Sequence, residues 1–104
     1  MAEFVNPFTG MIPDRKLNDR ELARAIRMAL AAEEEAIHMY EAMADASDNP
    51  LAAKVLQDVA DEERVHAGEF QQLLRLLLPD EDKLLEQGSA EVSEMAGEQK
   101  GQEV

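Results

Sequence analysis

The chain has 104 residues, which is enough for one domain and favours association with partners, because so short a chain buries a modest share of its surface. It contains no cysteine, which excludes disulfides, thiolate zinc sites, iron–sulfur clusters and thiol nucleophiles. Asp and Glu outnumber Lys and Arg by 23 to 10, and the formal net charge of −13 disfavours nucleic acid and anionic membranes and attracts cations.

The sequence gives no sign of export or membrane insertion. The first residues have no basic stretch followed by an apolar one, and no run approaches the ~20 apolar residues of a spanning helix. We therefore expect a soluble, cytoplasmic protein with no membrane partner.

A first helix is predicted after an extended arm. Residues 1–17 combine two prolines and a glycine with no sustained periodicity, which is typical of an arm. Asn18 followed by Glu21 has the spacing of a helix N-cap and its reciprocal glutamate. The helix is expected to begin near Asp19 and to continue to about Ala46.

A second helix is predicted after a four-residue break. The sequence Ser-Asp-Asn-Pro at residues 47–50 ends the first helix, and Pro50 suits the first position of the next one. That helix is expected to continue to Pro79, and each helix would be about 40 Å long. Because the connection is short, the two helices are expected to form an antiparallel hairpin.

The predicted helical domain spans residues 18–87. It comprises the hairpin and a short third helix over residues 80–87, which Gly88 is expected to end. Residues 88–104 are acidic and poor in large apolar side chains, so they are predicted to form a disordered tail.

A carboxylate falls on the apolar face of the first predicted helix. At ~100° per residue, this face collects Leu22, Ile26, Ala29, Leu30, Ala36, Ile37, Tyr40 and Ala44. Glu33 lies in the middle of it, where a charge requires a cation or a strong hydrogen-bond partner. Tyr40, two turns further along the same face, brings a hydroxyl to a site beside Glu33.

The second predicted helix carries a histidine on its apolar face, with a glutamate one turn before it. The apolar residues of this face are Leu51, Val55, Leu56, Val59, Phe70, Leu73, Leu74 and Leu77. Glu63 and His66, three residues apart, place a carboxylate and an imidazole side by side, as di-metal helical bundles do. Carboxylate oxygens with one nitrogen per metal favour iron or manganese over zinc or copper.

Other residues compete for these roles. A second Glu-x-x-His, Glu35 to His38, falls roughly opposite the apolar face. These two residues and Glu34 are interpreted as solvated surface, with a surface site for metal entry or weak cation binding as the alternative. Glu62, four residues before His66, stays open as an alternative to Glu63, which the spacing favours.

The number of ligands predicts a dimer. One hairpin offers two carboxylates and one histidine, whereas a di-iron site of this type uses four carboxylates and two histidines. Two hairpins related by a two-fold axis supply that set. The predicted fold class is therefore all-α, with a two-helix hairpin that completes a four-helix bundle by dimerisation and holds two iron ions per dimer.

Two motifs resemble those of the encapsulated ferritins, small two-helix relatives of ferritin and rubrerythrin. They are Glu33-x-x-Ala36-x-x-x-Tyr40 in the first helix and Asp61-Glu62-Glu63-x-x-His66 in the second. The arm, from Asn6-Pro7-Phe8 through Arg15-Lys16-Leu17, is also similar to cargo proteins of this group. The resemblance covers nearly the whole chain and implies a ferritin-like fold.

The resemblance also implies a ferroxidase. Glu33, Glu63 and His66 would be the catalytic iron ligands, and Tyr40 a catalytic neighbour of them. Oxygen or peroxide would oxidise Fe(II), and dimers would assemble into a larger ring, commonly a decamer. Because an open ring has no storage cavity, the Fe(III) product would be mineralised inside an encapsulin shell in the cytoplasm.

Two other functions are compatible with the same residues. One is a non-enzymatic acidic helical adaptor, in which Glu33 and His66 pair with each other and no metal binds. The other is a di-metal protein that scavenges peroxide. Measurements of iron content and of oxygen and peroxide consumption would distinguish a ferroxidase from the adaptor and from the peroxide scavenger.

Overall fold

The computed structural model describes residues 15–102, with side chains through residue 99. Within this range the chain forms three helices, α1 (Asp19–Ala46), α2 (Pro50–Leu77) and α3 (Glu81–Gln102), and no strand. None of these helices combines the length and the hydropathy needed to cross a membrane. The all-α prediction is confirmed, whereas the predicted arm falls mostly on residues 1–14, which lie outside the described part.

The start of α1 is fixed by the predicted cap. The Oδ1 atom of Asn18 accepts a hydrogen bond from the Glu21 backbone N–H at 2.8 Å, and the Asn18 N–H donates to Glu21 Oε1 at 3.2 Å. This reciprocal capping box satisfies two amide groups that the helix itself leaves unpaired. The predicted bounds of α1 therefore agree with the structure.

The connection between α1 and α2 is short and capped at both ends. Ser47 ends α1, and its Oγ accepts a hydrogen bond from the Asn49 N–H at 3.2 Å. The Oδ1 atom of Asn49 accepts from the N–H groups of Leu51 at 3.0 Å and Ala52 at 3.1 Å. Pro50 occupies the first turn of α2, where a missing N–H costs nothing. The tight turn folds α2 back along α1.

The prediction for the C-terminal part is wrong. Instead of ending at Gly88, α3 continues to Gln102, so residues 88–102 are helical rather than a disordered tail. A glycine inside a helix costs only about 1 kcal/mol, which neighbouring helix formers offset. The side-chain amide of Gln87 also donates to Glu91 Oε1 at 3.4 Å, across the turn that contains Gly88.

Helix α3 is attached to the hairpin at its first turn. Arg27 on α1 pairs with Glu81, and Arg75 on α2 pairs with Asp82 at 3.7 Å. Every described side chain from residue 83 to residue 99 is exposed. The helix therefore projects from the hairpin, and the molecule measures 60 × 44 × 28 Å with a radius of gyration of 18.4 Å.

The seam between α1 and α2 is lined by alanines. The buried apolar residues of the described part are Ala23 and Ala44 on α1 and Ala60 and Ala67 on α2. By contrast, Leu51 is 70% exposed, and Val55 and Leu73, which were expected to be buried, are also exposed. Within residues 15–102 each long helix packs along its length against one other helix, so part of its apolar face remains uncovered.

Candidate metal centre

Three predicted ligands meet between the two long helices. Glu33 projects from α1, and Glu63 and His66 project from neighbouring turns of α2. One potential ligand atom from each residue lies within 4.8 Å of the other two. The His66 Nδ1 atom is 3.5 Å from Glu63 Oε2 and 3.8 Å from Glu33 Oε2.

The three side chains lie at the edge of the helix pair rather than deep inside it. The exposed fraction is 22% for the Glu33 side chain and 21% for Glu63, but 52% for His66. The carboxylates are thus partly withdrawn from water, while the imidazole remains open on one side. A second molecule could therefore reach this side of the cluster.

The competing residues lie elsewhere. Glu62 is exposed and outside the cluster, so the geometry brings Glu63 and not Glu62 to Glu33. Glu35 and His38 are also exposed and outside it. Tyr40 is half-buried on α1, two turns beyond Glu33, and its catalytic role stays a prediction.

An ion pair that was not predicted from the sequence joins the same two helices. Arg64, the residue after Glu63, reaches across the seam to Glu41 on α1. Its Nη1 atom also donates to Asp61 Oδ1 at 3.0 Å within α2. The signal available in the sequence was the position of Glu41 at the margin of the apolar face of α1.

The donor set suits a divalent cation such as Fe(II) or Mn(II). Two carboxylates and one imidazole provide hard oxygen donors with a single nitrogen, which such ions prefer. The distances of 3.5 and 3.8 Å from His66 Nδ1 to the carboxylates exceed those of a regular hydrogen bond. The three groups are therefore close enough to share an ion without being tied to one another.

Comparison with known proteins places the chain in a family. The family model described as Rubrerythrin matches residues 24–100. The crystal structure of the encapsulated ferritin domain from Pyrococcus furiosus superposes with a TM-score of 0.80 at 40% identity, covering 92% of this chain and 97% of that one. The chain belongs to the rubrerythrin family, among the encapsulated ferritins.

Two other similar proteins are longer than this chain. The encapsulin nanocompartment cargo protein EncC from Myxococcus xanthus is 49% identical over 76 residues, which are 73% of this chain and 58% of EncC. A ferritin-like–encapsulin shell fusion protein from Pyrococcus furiosus is 41% identical over 93 residues, 89% of this chain and 27% of the fusion protein. The chain thus spans little more than half of the one and about a quarter of the other.

Proposed function

We propose that the chain is a ferroxidase that oxidises Fe(II) at a di-iron site shared by two copies. The observation that carries the proposal is the cluster of Glu33, Glu63 and His66, whose ligand atoms lie within 4.8 Å of one another. Because this is half of the ligand set of a carboxylate-bridged di-iron site, a second hairpin is required to complete it. Membership of the rubrerythrin family supports iron as the metal.

Exposed apolar residues support association on the side of the cluster. On α2, Leu51, Val55 and Leu73 are exposed and lie within about 60° of His66 on the helical wheel. On α1, the exposed Met43 lies about 80° from Glu33, on the side away from the buried Ala23. An apolar surface therefore borders the cluster on both helices, as the core of a symmetric interface would.

The chemistry consists of two one-electron oxidations. Two Fe(II) ions give up one electron each, and one oxygen molecule takes both electrons with two protons and leaves as hydrogen peroxide. With peroxide as the oxidant, the two electrons and two protons yield two water molecules. Four carboxylates balance the charge of two Fe(II) ions, whereas two Fe(III) ions carry two further positive charges, which hydroxide from water would neutralise in the stored product.

We further propose that the released Fe(III) is stored inside an encapsulin shell, where a ring of dimers, such as a decamer, would be enclosed. Support comes from relatives named as an encapsulin cargo protein and as a fusion to an encapsulin shell. This part of the proposal is independent of the cluster geometry. Co-purification of the chain with a shell protein expressed in the same cells tests it.

Metal loading tests the catalytic part of the proposal. The purified chain is loaded with Fe(II) without oxygen, its iron content is measured, and oxidation is then started with air or peroxide. The expected result is two irons per dimer and oxidation faster than in buffer alone. Absence of bound iron would instead favour an adaptor in which His66 and Glu33 pair with each other, and peroxide loss without net iron oxidation would favour a peroxide scavenger.

A further inference from the structure

The buried side chains of the seam between α1 and α2 are alanines, and the large apolar side chains beside them are half-buried or exposed. Alanine side chains form shallow ridges and grooves, so they resist the turning of one helix against the other less than large interlocking side chains do. In the described part no large side chain is fully buried. Rotation matters because a turn of about 10° moves a side-chain tip, which lies about 5–6 Å from the helix axis, by about 1 Å.

Contacts between charged side chains of α1 and α2 are therefore expected to influence the rotation of α2 against α1. Among residues 15–99, two charge contacts link these helices: His66 with Glu33, inside the cluster, and Arg64 with Glu41. The remaining ion pairs are formed within one helix or its cap, or attach α3, or lie within the cluster (Arg15–Glu21, Arg64–Asp61, His66–Glu63, Arg27–Glu81 and Arg75–Asp82). Among residues 15–99, Arg64–Glu41 is therefore the charge contact that joins α1 and α2 outside the cluster.

The Glu41 carboxylate lies at the margin of the seam, where its side chain is 34% exposed and the Arg64 guanidinium covers one of its oxygens. Its Oε1 atom has less than 1 Å² of accessible surface and accepts no regular hydrogen bond. A carboxylate oxygen withdrawn from water requires a nearby cation, and the Arg64 guanidinium supplies it. Loss of either partner would leave the other to move towards solvent.

The ion pair and the cluster lie on opposite edges of the seam. On α2, Glu63 is about 60° to one side of the buried Ala60 and Arg64 is about 40° to the other side. On α1, Glu33 is about 20° to one side of the buried Ala44 and Glu41 is about 60° to the other side. A rotation of α2 that moved Glu63 and His66 away from Glu33 would also displace Arg64 relative to Glu41. The Arg64–Glu41 contact therefore opposes this rotation.

We propose that the Arg64–Glu41 ion pair positions the metal ligands by fixing the rotation of α2 against α1. Arg64 and Glu41 are positioning residues, because neither belongs to the cluster itself. The inference rests on the proposed metal site, and its test measures metal affinity rather than iron oxidation.

The test uses Mn(II), which air does not oxidise under these conditions and whose free concentration is read by electron paramagnetic resonance. The full chain is compared with Glu41→Gln, Arg64→Gln and the charge-swapped double variant Glu41→Arg with Arg64→Glu. Each single change should weaken Mn(II) binding by up to about tenfold, which is the lower end of the loss seen when a group that orients the ligands from outside is removed. The double variant should restore affinity because the cross-helix pair is formed again.

Asp61→Asn is the matched control. It removes the other carboxylate that Arg64 contacts, and with it one negative charge, as Glu41→Gln does. Because the Asp61 contact lies within α2, it does not fix the rotation of one helix against the other. Mn(II) affinity should therefore stay close to that of the unchanged chain.

The direction in which Arg64→Gln changes the Mn(II) affinity distinguishes a positioning role of Arg64 from a simple effect of its charge. If Arg64 acted only through its charge, its removal would tighten the binding of a cation. Tighter or unchanged binding in Arg64→Gln, or no recovery in the double variant, would overturn the inference while leaving the site in place. An unchanged chain that bound no Mn(II) would overturn the proposed site, and the inference with it.

Discussion

The Nδ1 atom of His66 on α2 lies 3.8 Å from the Oε2 atom of Glu33 on α1. The two residues are 33 positions apart in sequence, so only the hairpin turn at residues 47–49 brings them together. The hydrogen bonds that cap the helices at this turn therefore help to bring the residues of the cluster together. In variants of either residue, unfolding measurements test the fold and iron oxidation tests the proposed function.

Replacement of Glu33 by alanine should abolish iron oxidation. The metal-free hairpin should keep its free energy of unfolding or gain up to about 1 kcal/mol, because a partly desolvated carboxylate is removed. Stopped-flow oxidation of Fe(II) and urea unfolding of the metal-free chain measure the two effects. Glu34→Ala, one residue further and exposed, is the control and should oxidise iron normally.

The two histidines should behave differently. His66→Ala removes the only nitrogen of the cluster and should lower the rate of Fe(II) oxidation by at least about 100-fold. His38→Ala alters an exposed side chain outside the cluster and should leave the rate unchanged. Full activity in His66→Ala combined with loss in His38→Ala would move the site to the opposite face of α1.

Iron should shift the chain towards its assembled state. A metal held only by the dimer stabilises the dimer by mass action. Sedimentation equilibrium with and without Fe(II), in the absence of oxygen, measures the shift. A monomer that nonetheless binds one iron per chain tightly would contradict a site shared between copies.

A charge on the exposed apolar surface of α2 should prevent this assembly. Leu73→Glu places a carboxylate beside His66 on the helical wheel, where a partner would have to bury it. Gln72→Glu introduces the same charge at an exposed position about 120° from His66 on the helical wheel and is the matched control. Equal assembly of the two variants would exclude the Leu73 surface as the interface.

The cap of α1 should weaken in acid. The side-chain hydrogen bond from Arg15 is the main cause that lowers the pKa of Glu21 from 4.5 to about 2. Between these values the unfolded chain binds more protons than the folded one, so stability falls as the pH falls from about 4.5 to about 2. Unfolding curves of the unchanged chain and of Glu21→Gln should differ above pH 4.5 and converge below this range.

Substitution of Gly88 by alanine should strengthen α3. A Cβ at Gly88 would meet no atom within 4 Å, so the change introduces no clash. Alanine favours the helix by about 0.5–1 kcal/mol over glycine. Because α3 packs on the hairpin only at its start, the gain should appear as higher helicity in circular dichroism and slower amide exchange in α3. A loss of helicity would mean that Gly88 ends the helix.

Local rules predicted the hairpin well. The cap at Asn18, the break at residues 47–50 and the helical periodicity are encoded within a few residues, so α1 has the expected bounds and α2 ends within two residues of the expected Pro79. The meeting of Glu33 with Glu63 and His66 also follows from periodicity once the hairpin is assumed. Their use as metal ligands remains a proposal.

Other features depend on what surrounds each helix. Whether Gly88 ends a helix depends on small energy differences that one residue type does not decide. Leu51 and Leu73 are exposed because, within residues 15–102, no further helix covers this side of α2, and the apolar pattern does not show this. The Arg64–Glu41 pair arises from the reach of two flexible side chains across the seam, and helical spacing does not determine that reach.

Because α3 projects from the hairpin, the molecule should appear larger in solution than a compact protein of the same mass. A compact chain of this length would have a radius of gyration of about 13 Å, against the observed 18.4 Å. Friction with the solvent grows with this extension, so the single chain of 11.6 kDa should diffuse slowly and leave a gel-filtration column early. An early elution volume is therefore expected even of one copy, and light scattering, which weighs particles regardless of their shape, distinguishes one copy from two.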